Sequence, residues 1–123
     1  IYIYPIIIYI YPSPSIMPEK NFIIKLSDVA FIFVYFLTNK GEIGKFVVKL
    51  NVFFEDQVIE LARYDSGLHE PHLDILHPNG FKKRVVDYSM LENAQAINVA
   101  IEDFSNNWEF YWERWQRWAQ EEK

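Results

Sequence analysis

The sequence predicts an α+β domain, an antiparallel β-sheet of four to six strands packed against one long C-terminal helix. Three observations carry this. Apolar runs rich in Phe, Ile, Val and Tyr fill residues 30–87, and the turn residues between them leave no room for crossover helices. At Ser89 the pattern switches to a period of three to four that lasts to the C-terminal end. Finally, 123 residues with 50% apolar and 18% aromatic side chains suit one packed core and exclude a disordered chain.

Residues 1–11, Ile-Tyr-Ile-Tyr-Pro-Ile-Ile-Ile-Tyr-Ile-Tyr, lack the basic flank of a signal peptide. Pro12-Ser13-Pro14-Ser15 then cuts the run well short of a membrane span, so no membrane association is expected. Residues 1–16 are therefore expected to be an atypical apolar leader that is disordered, covers a sheet edge or pairs with another copy. Met17 reads as a natural start, and residues 17–123 as the single α+β domain. Lys25 and Asp28 interrupt the next apolar stretch, which keeps it at strand length.

Residues 30–37 read as the first strong strand, stopped by Thr38-Asn39-Lys40-Gly41-Glu42-Ile43-Gly44. In residues 46–54, Phe46, Val48, Leu50, Val52 and Phe54 alternate with Val47, Lys49, Asn51 and Phe53. Glu55-Asp56 reverses the chain, and residues 57–64 return with Ile59 and Leu61 facing opposite Val58, Glu60 and Ala62. A strand over 72–77 ends at Pro78-Asn79-Gly80, a sequence suited to a tight turn, and 81–87 comes back along it. Ser89-Met90-Leu91-Glu92 has the form of a capping box. Leu91, Ala94, Ile97, Ile101, Phe104, Trp108, Trp112, Trp115 and Ala119 then form one helical stripe, with a kink expected near Ser105-Asn106-Asn107. Tyr111 and Trp118 lie off that stripe and are the aromatic residues expected to face a partner.

The net charge of −5 argues against general coating of nucleic acid, whose affinity comes from neutralised phosphates. Glu109, Glu113, Glu121 and Glu122 beside the tryptophans make the same point against base stacking. With no cysteine, thiolate catalysis and disulfides are excluded, and a metal site must use His, Asp, Glu or backbone oxygen. The composition fits the cytoplasm, and no organic cofactor is expected.

Residues 63–80 concentrate the chemistry: all three histidines, two aspartates, an arginine and a tyrosine. Three readings stand open. His69, His72, Asp74 and His77 could bind a metal, although their spacing matches no zinc-finger or His-Glu-x-x-His pattern. Alternatively, His69 and His72 could serve as acid and base in RNA cleavage, with Arg63 on the phosphate, Tyr64 positioning a proton and Asp65 or Asp74 orienting an imidazole. The third reading is structural, with Arg63 paired to Asp65, Tyr64 half-buried at an edge, and Asp65-Ser66-Gly67 an ordinary turn.

Arg63-Tyr64-Asp65-Ser66, followed by His69, Pro71-His72 and His77, resembles the toxins of the TumE type over residues 44–104. That resemblance implies an RNA substrate and an antitoxin partner, with Arg63, Tyr64, Asp65, His69, Pro71, His72 and His77 carried over; Ser66 stands where the toxins have Asn. The segment also resembles an uncharacterised microbial domain with the pattern Arg-Tyr-Asp-Thr…His…His-x-Asp-x-x-His-Pro-Asp-Gly. Two functions follow: a toxin-like RNA-cleaving enzyme, or a non-catalytic interaction or structural domain that could hold a metal. A homo-oligomer is expected from the aromatic excess, joined through residues 30–37 or 46–54.

Overall fold

A computed structural model describes residues 4–9, 18–67, 71–87 and 92–122, and for 4–9, 86 and 87 the backbone alone. Strands β2 (Glu19–Lys25), β3 (Ala30–Asn39), β4 (Glu42–Phe54), β5 (Gln57–Asp65), β6 (His72–Leu76) and β7 (Lys82–Asp87) form a six-stranded antiparallel meander. The long helix α1 (Asn93–Glu121) packs against it. A further strand, β1 (Tyr4–Tyr9), runs antiparallel to β2 and extends the sheet by one at that edge.

Alternation along the strands puts one side chain in two against the helix. Ala30, Ile32 and Val34 on β3 meet Val52, Leu50 and Val48 on β4, and all six are buried. Ala62 and Tyr64 on β5, then Ile75 and Leu73 on β6, continue the same face. From the helix, Ala96, Ile97, Ala100 and Phe104 close the core. The small Ala96 and Ala100 let the helix axis approach the sheet, while Phe104 fills the space against Tyr64 with ring centroids 5.1 Å apart. The helix is a single run of 29 residues, about 43 Å long, and continues through Ser105-Asn106-Asn107. That length matches β4, whose 13 residues also span about 43 Å.

Two details of the sheet depart from simple alternation. A β-bulge between Leu50 and Asn51 of β4 leaves Leu61 as the extra residue of β5, so Leu61 and its neighbour Ala62 are both buried. Ile59 therefore packs on a core that holds both Leu61 and Ala62, where unbroken alternation put Ala62 on the opposite face. The β3–β4 link is also tighter than expected: β3 continues to Asn39, β4 starts at Glu42, and Lys40-Gly41 alone turns the chain with φ of 53° and 82°.

The helix start differs too. Glu92 is the N-cap residue, and its N–H donates to the Gln95 side-chain oxygen at 3.1 Å. Ser89 and Leu91 lie outside the described residues. Asn93 ties this end to the sheet by donating to the Ile43 carbonyl at 2.8 Å. No described helix is long and apolar enough to cross a membrane.

Candidate metal centre

The polar segment divides between the two faces of the sheet. On β5, Arg63 and Asp65 point away from the helix, and Tyr64 points toward it. On β6, His72 pairs with Asp65 and Asp74 with Arg63, so all four share the outer face. The β6–β7 turn is a type I turn followed by Gly80 at φ 89°: Gly80 N–H donates to the His77 carbonyl, and His77 N–H donates to Phe81. It carries His77 away from the other polar groups.

Three outer-face groups converge. His72 Nε2 lies 3.2 Å from Asp65 Oδ1 and 3.2 Å from Asp74 Oδ2. One donor atom from each of the three residues lies within 4.8 Å of the other two. Donors around an ion at about 2.0–2.2 Å are roughly 2.8–3.6 Å apart as neighbours in a tetrahedron or octahedron. Both 3.2 Å edges fall inside that interval. His72 and Asp74 are only 5% and 2% exposed, and Asp74 Oδ2 is a buried oxygen that accepts no hydrogen bond from the described residues. A small domain with a buried His/Asp cluster able to coordinate a metal is what these distances describe.

Local structure fixes each member. Asp65 Oδ1 accepts the Gly67 N–H at 2.7 Å, an Asx turn that sets its rotamer at the end of β5. Ser66, buried beside it, exchanges hydrogen bonds with the Phe46 backbone: its N–H donates to the carbonyl at 3.1 Å and its Oγ accepts the amide at 3.2 Å. Basic groups of β7 stand close. Arg84 Nη2 is 3.2 Å from His72 Nε2, Arg84 Nε is 3.7 Å from Asp74 Oδ1, and Lys82 Nζ is 3.7 Å from Asp74 Oδ2.

The other expected site residues fall elsewhere. Arg63 is held by Glu60, not by Asp65, through a two-pronged pair at 2.8 and 2.9 Å. That hydrogen-bonded pairing raises the Arg63 pKa above its ordinary value, against the opposing effect of burial. Tyr64 is fully buried in the core instead of half-buried at an edge, and its hydroxyl donates to Asp103 Oδ2 at 2.8 Å. His77 stacks on Trp118 with centroids 3.9 Å apart and planes 9° from parallel, so it stands outside the cluster. His69 lies outside the described residues, while Pro71 is buried next to His72.

Asp103 was missed as a polar centre. It accepts from Tyr64 at 2.8 Å, Tyr111 at 2.6 Å and Asn107 at 2.7 Å. Tyr111, expected to face a partner, is accordingly buried, and Phe110 is the exposed aromatic at this level. The i, i+4 and i, i+8 spacing of Asp103, Asn107 and Tyr111 was a readable signal.

No curated protein and no solved structure matches the chain. The toxin resemblance thus gains no support, whereas the resemblance to an uncharacterised domain does. A family described as a domain of unknown function, DUF7718, matches residues 17–121. With nearly the whole chain covered, the protein belongs to that family.

Proposed function

We propose that this is a non-catalytic domain in which Asp65, His72 and Asp74 hold a divalent cation. One imidazole and two carboxylates suit Mn²⁺, Zn²⁺ or Fe²⁺, and the nitrogen ligand disfavours Ca²⁺ and Mg²⁺. The observation that carries the reading is the environment of His72 Nε2. That atom has two carboxylate oxygens and one guanidinium nitrogen all at 3.2 Å. As an N–H it clashes with Arg84; as a lone pair it opposes both carboxylates. A cation at the centre satisfies the nitrogen and both oxygens, and the exposed Arg84 side chain is free to turn out. Burial of two of the ligands favours a structural ion over a catalytic one that needs an open position. The remaining coordination positions fall to water; His69, also expected as a ligand, lies outside the described residues.

The test is metal content after loading with Mn²⁺ or Zn²⁺ and desalting, compared with His72→Ala and Asp74→Asn. One equivalent in the wild type and none in either variant supports the site; equal content in all three removes it. RNA cleavage is not the reading this geometry favours. Of its acid–base pair, His72 is closed to solvent and His69 lies outside the described residues, while Arg63, its phosphate group, is held by Glu60.

The expected self-association has its own support on the outer face. Phe53 and Val58 are more than half exposed there, and Phe53 packs on Phe31 at 5.1 Å. A second copy is the proposed cover, and light scattering of wild type against Phe53→Glu tests it: a dimer that becomes a monomer supports it, and a wild-type monomer refutes it.

A further inference from the structure

We propose that the cleft between α1 and strands β6–β7 binds a small amphipathic carboxylate. Its apolar body would lie on Leu73, Ile75 and Val85, and its carboxylate on the Arg114 guanidinium. This site is on the opposite face of the sheet from the metal cluster and stands independently of it.

The cleft exists because α1 lies over β4 and β5. Its flank, Val99, Asp103, Asn107, Phe110 and Arg114, overhangs β6 and β7 without descending onto them. The space left is about 570 Å³, within the usual range for small-molecule sites. Its floor and outer wall are aliphatic, and Val85 is exposed at the mouth. Such a surface takes an acyl or aryl body, not a sugar or a nucleotide.

The polar groups decide the head. Asp103 already accepts three hydrogen bonds, from Tyr64, Tyr111 and Asn107. Arg114 is different. Its guanidinium carbon lies 5.0 Å from the Phe110 ring centre, 5.3 Å from Tyr111 and 4.9 Å from Trp118. A cation over an aromatic face is attracted without using up its hydrogen-bond donors. Its Nε is buried without an acceptor, and no carboxylate among the described residues pairs with it. Burial lowers the Arg114 pKa from its ordinary value, against the attraction of Tyr111 and Asp103. A planar carboxylate meets a guanidinium edge through two parallel hydrogen bonds. Tyr111 stands between the two charges: its hydroxyl donates to Asp103 and its ring lies beside the Arg114 guanidinium.

The experiment is calorimetric titration of the full chain with decanoate and with decanol, in the presence of a chelator so that the metal site plays no part. Saturable one-to-one binding of decanoate, at least tenfold tighter than decanol, is expected. Arg114→Gln should remove that preference. Val85→Trp, a substitution at an exposed position that fills the mouth, should abolish binding of both while the circular dichroism spectrum stays native. Equal affinity for acid and alcohol, binding unaffected by either substitution, or no saturation by decanoate at 1 mM (the order of affinity set by about −4 kcal/mol) would each overturn the proposal.

Discussion

Asp74 Oδ2 stands 3.2 Å from His72 Nε2 on one face of β6, and no hydrogen bond from the described residues reaches that oxygen. A buried carboxylate oxygen left bare costs folding energy unless something positive meets it. The nearest full charges, Lys82 and Arg84, are held no closer than 3.7 Å to this carboxylate, on side chains more than half exposed. The arrangement is incomplete as a salt-bridge network and complete as three metal ligands.

Metal should therefore stabilise the fold. At a free concentration a hundred times the dissociation constant, a bound ion adds about 2.7 kcal/mol. For a chain of this size that raises the melting temperature by roughly 10 °C. Scanning calorimetry with Mn²⁺ or Zn²⁺, then with excess chelator, reads the effect directly. Unfolding at one temperature under both conditions would exclude a site coupled to folding. Acidification should weaken the gain, because ligands must shed protons to bind.

Asp103 should matter to the core more than its position on a polar helix face implies. Asp103→Ala removes the carboxylate to which the Tyr64 and Tyr111 hydroxyls donate, at a cost of about 3 kcal/mol in urea unfolding. Tyr64→Phe alone removes one bond to a charged group and costs about 1–2 kcal/mol. The double variant should cost little more than Asp103→Ala, because the two changes share one interaction. Strict additivity would show that the pair is not coupled.

The same residues show what was legible beforehand. The meander, the helix and the faces of β3 and β4 follow from periods of two and of three to four, which packing against a single helix preserves. Placing Arg63, Asp65, His72 and Asp74 on one face needed only the strand parity and register of β5 and β6. What could not be read was which partner each side chain takes. Glu60 captures Arg63 because the bulge at Leu61 puts both on the outer face, and a one-residue insertion leaves no trace in composition. Tyr64 finds Asp103 across 39 positions of sequence, a contact that depends on where the helix crosses the sheet. His77 leaves the cluster because the turn after it and the Trp118 ring claim it.

The β4–β5 hairpin carries removable strain. Glu55 and Asp56 have φ of 50° and 63°, as a two-residue type I′ turn requires, yet neither is the Asn or Gly that tolerates it best. Glu55→Asn with Asp56→Gly should stabilise the domain by about 1 kcal/mol, partly offset by the greater freedom of glycine in the unfolded chain. A rise in urea midpoint at constant slope is the expected readout. A lower midpoint would mean that the acidic pair makes compensating contacts in solution.

Removing Arg84 separates a metal site from an ion network more sharply than removing any ligand. In a network, Arg84→Ala strips a cation from the buried Asp74 carboxylate and only destabilises the fold. In a metal site, the guanidinium 3.2 Å from His72 Nε2 is a competitor for the same space and the same negative field. Its loss should then tighten Mn²⁺ or Zn²⁺ on the order of tenfold, even as the metal-free protein becomes less stable. Lys82→Ala should act in the same direction and more weakly, since Lys82 lies 3.7 Å from one carboxylate and bears on no other ligand among the contacts described. Competition titration with a chromogenic chelator measures both, and unchanged or weaker affinity in Arg84→Ala would assign Asp74 to its β7 cations instead of to an ion.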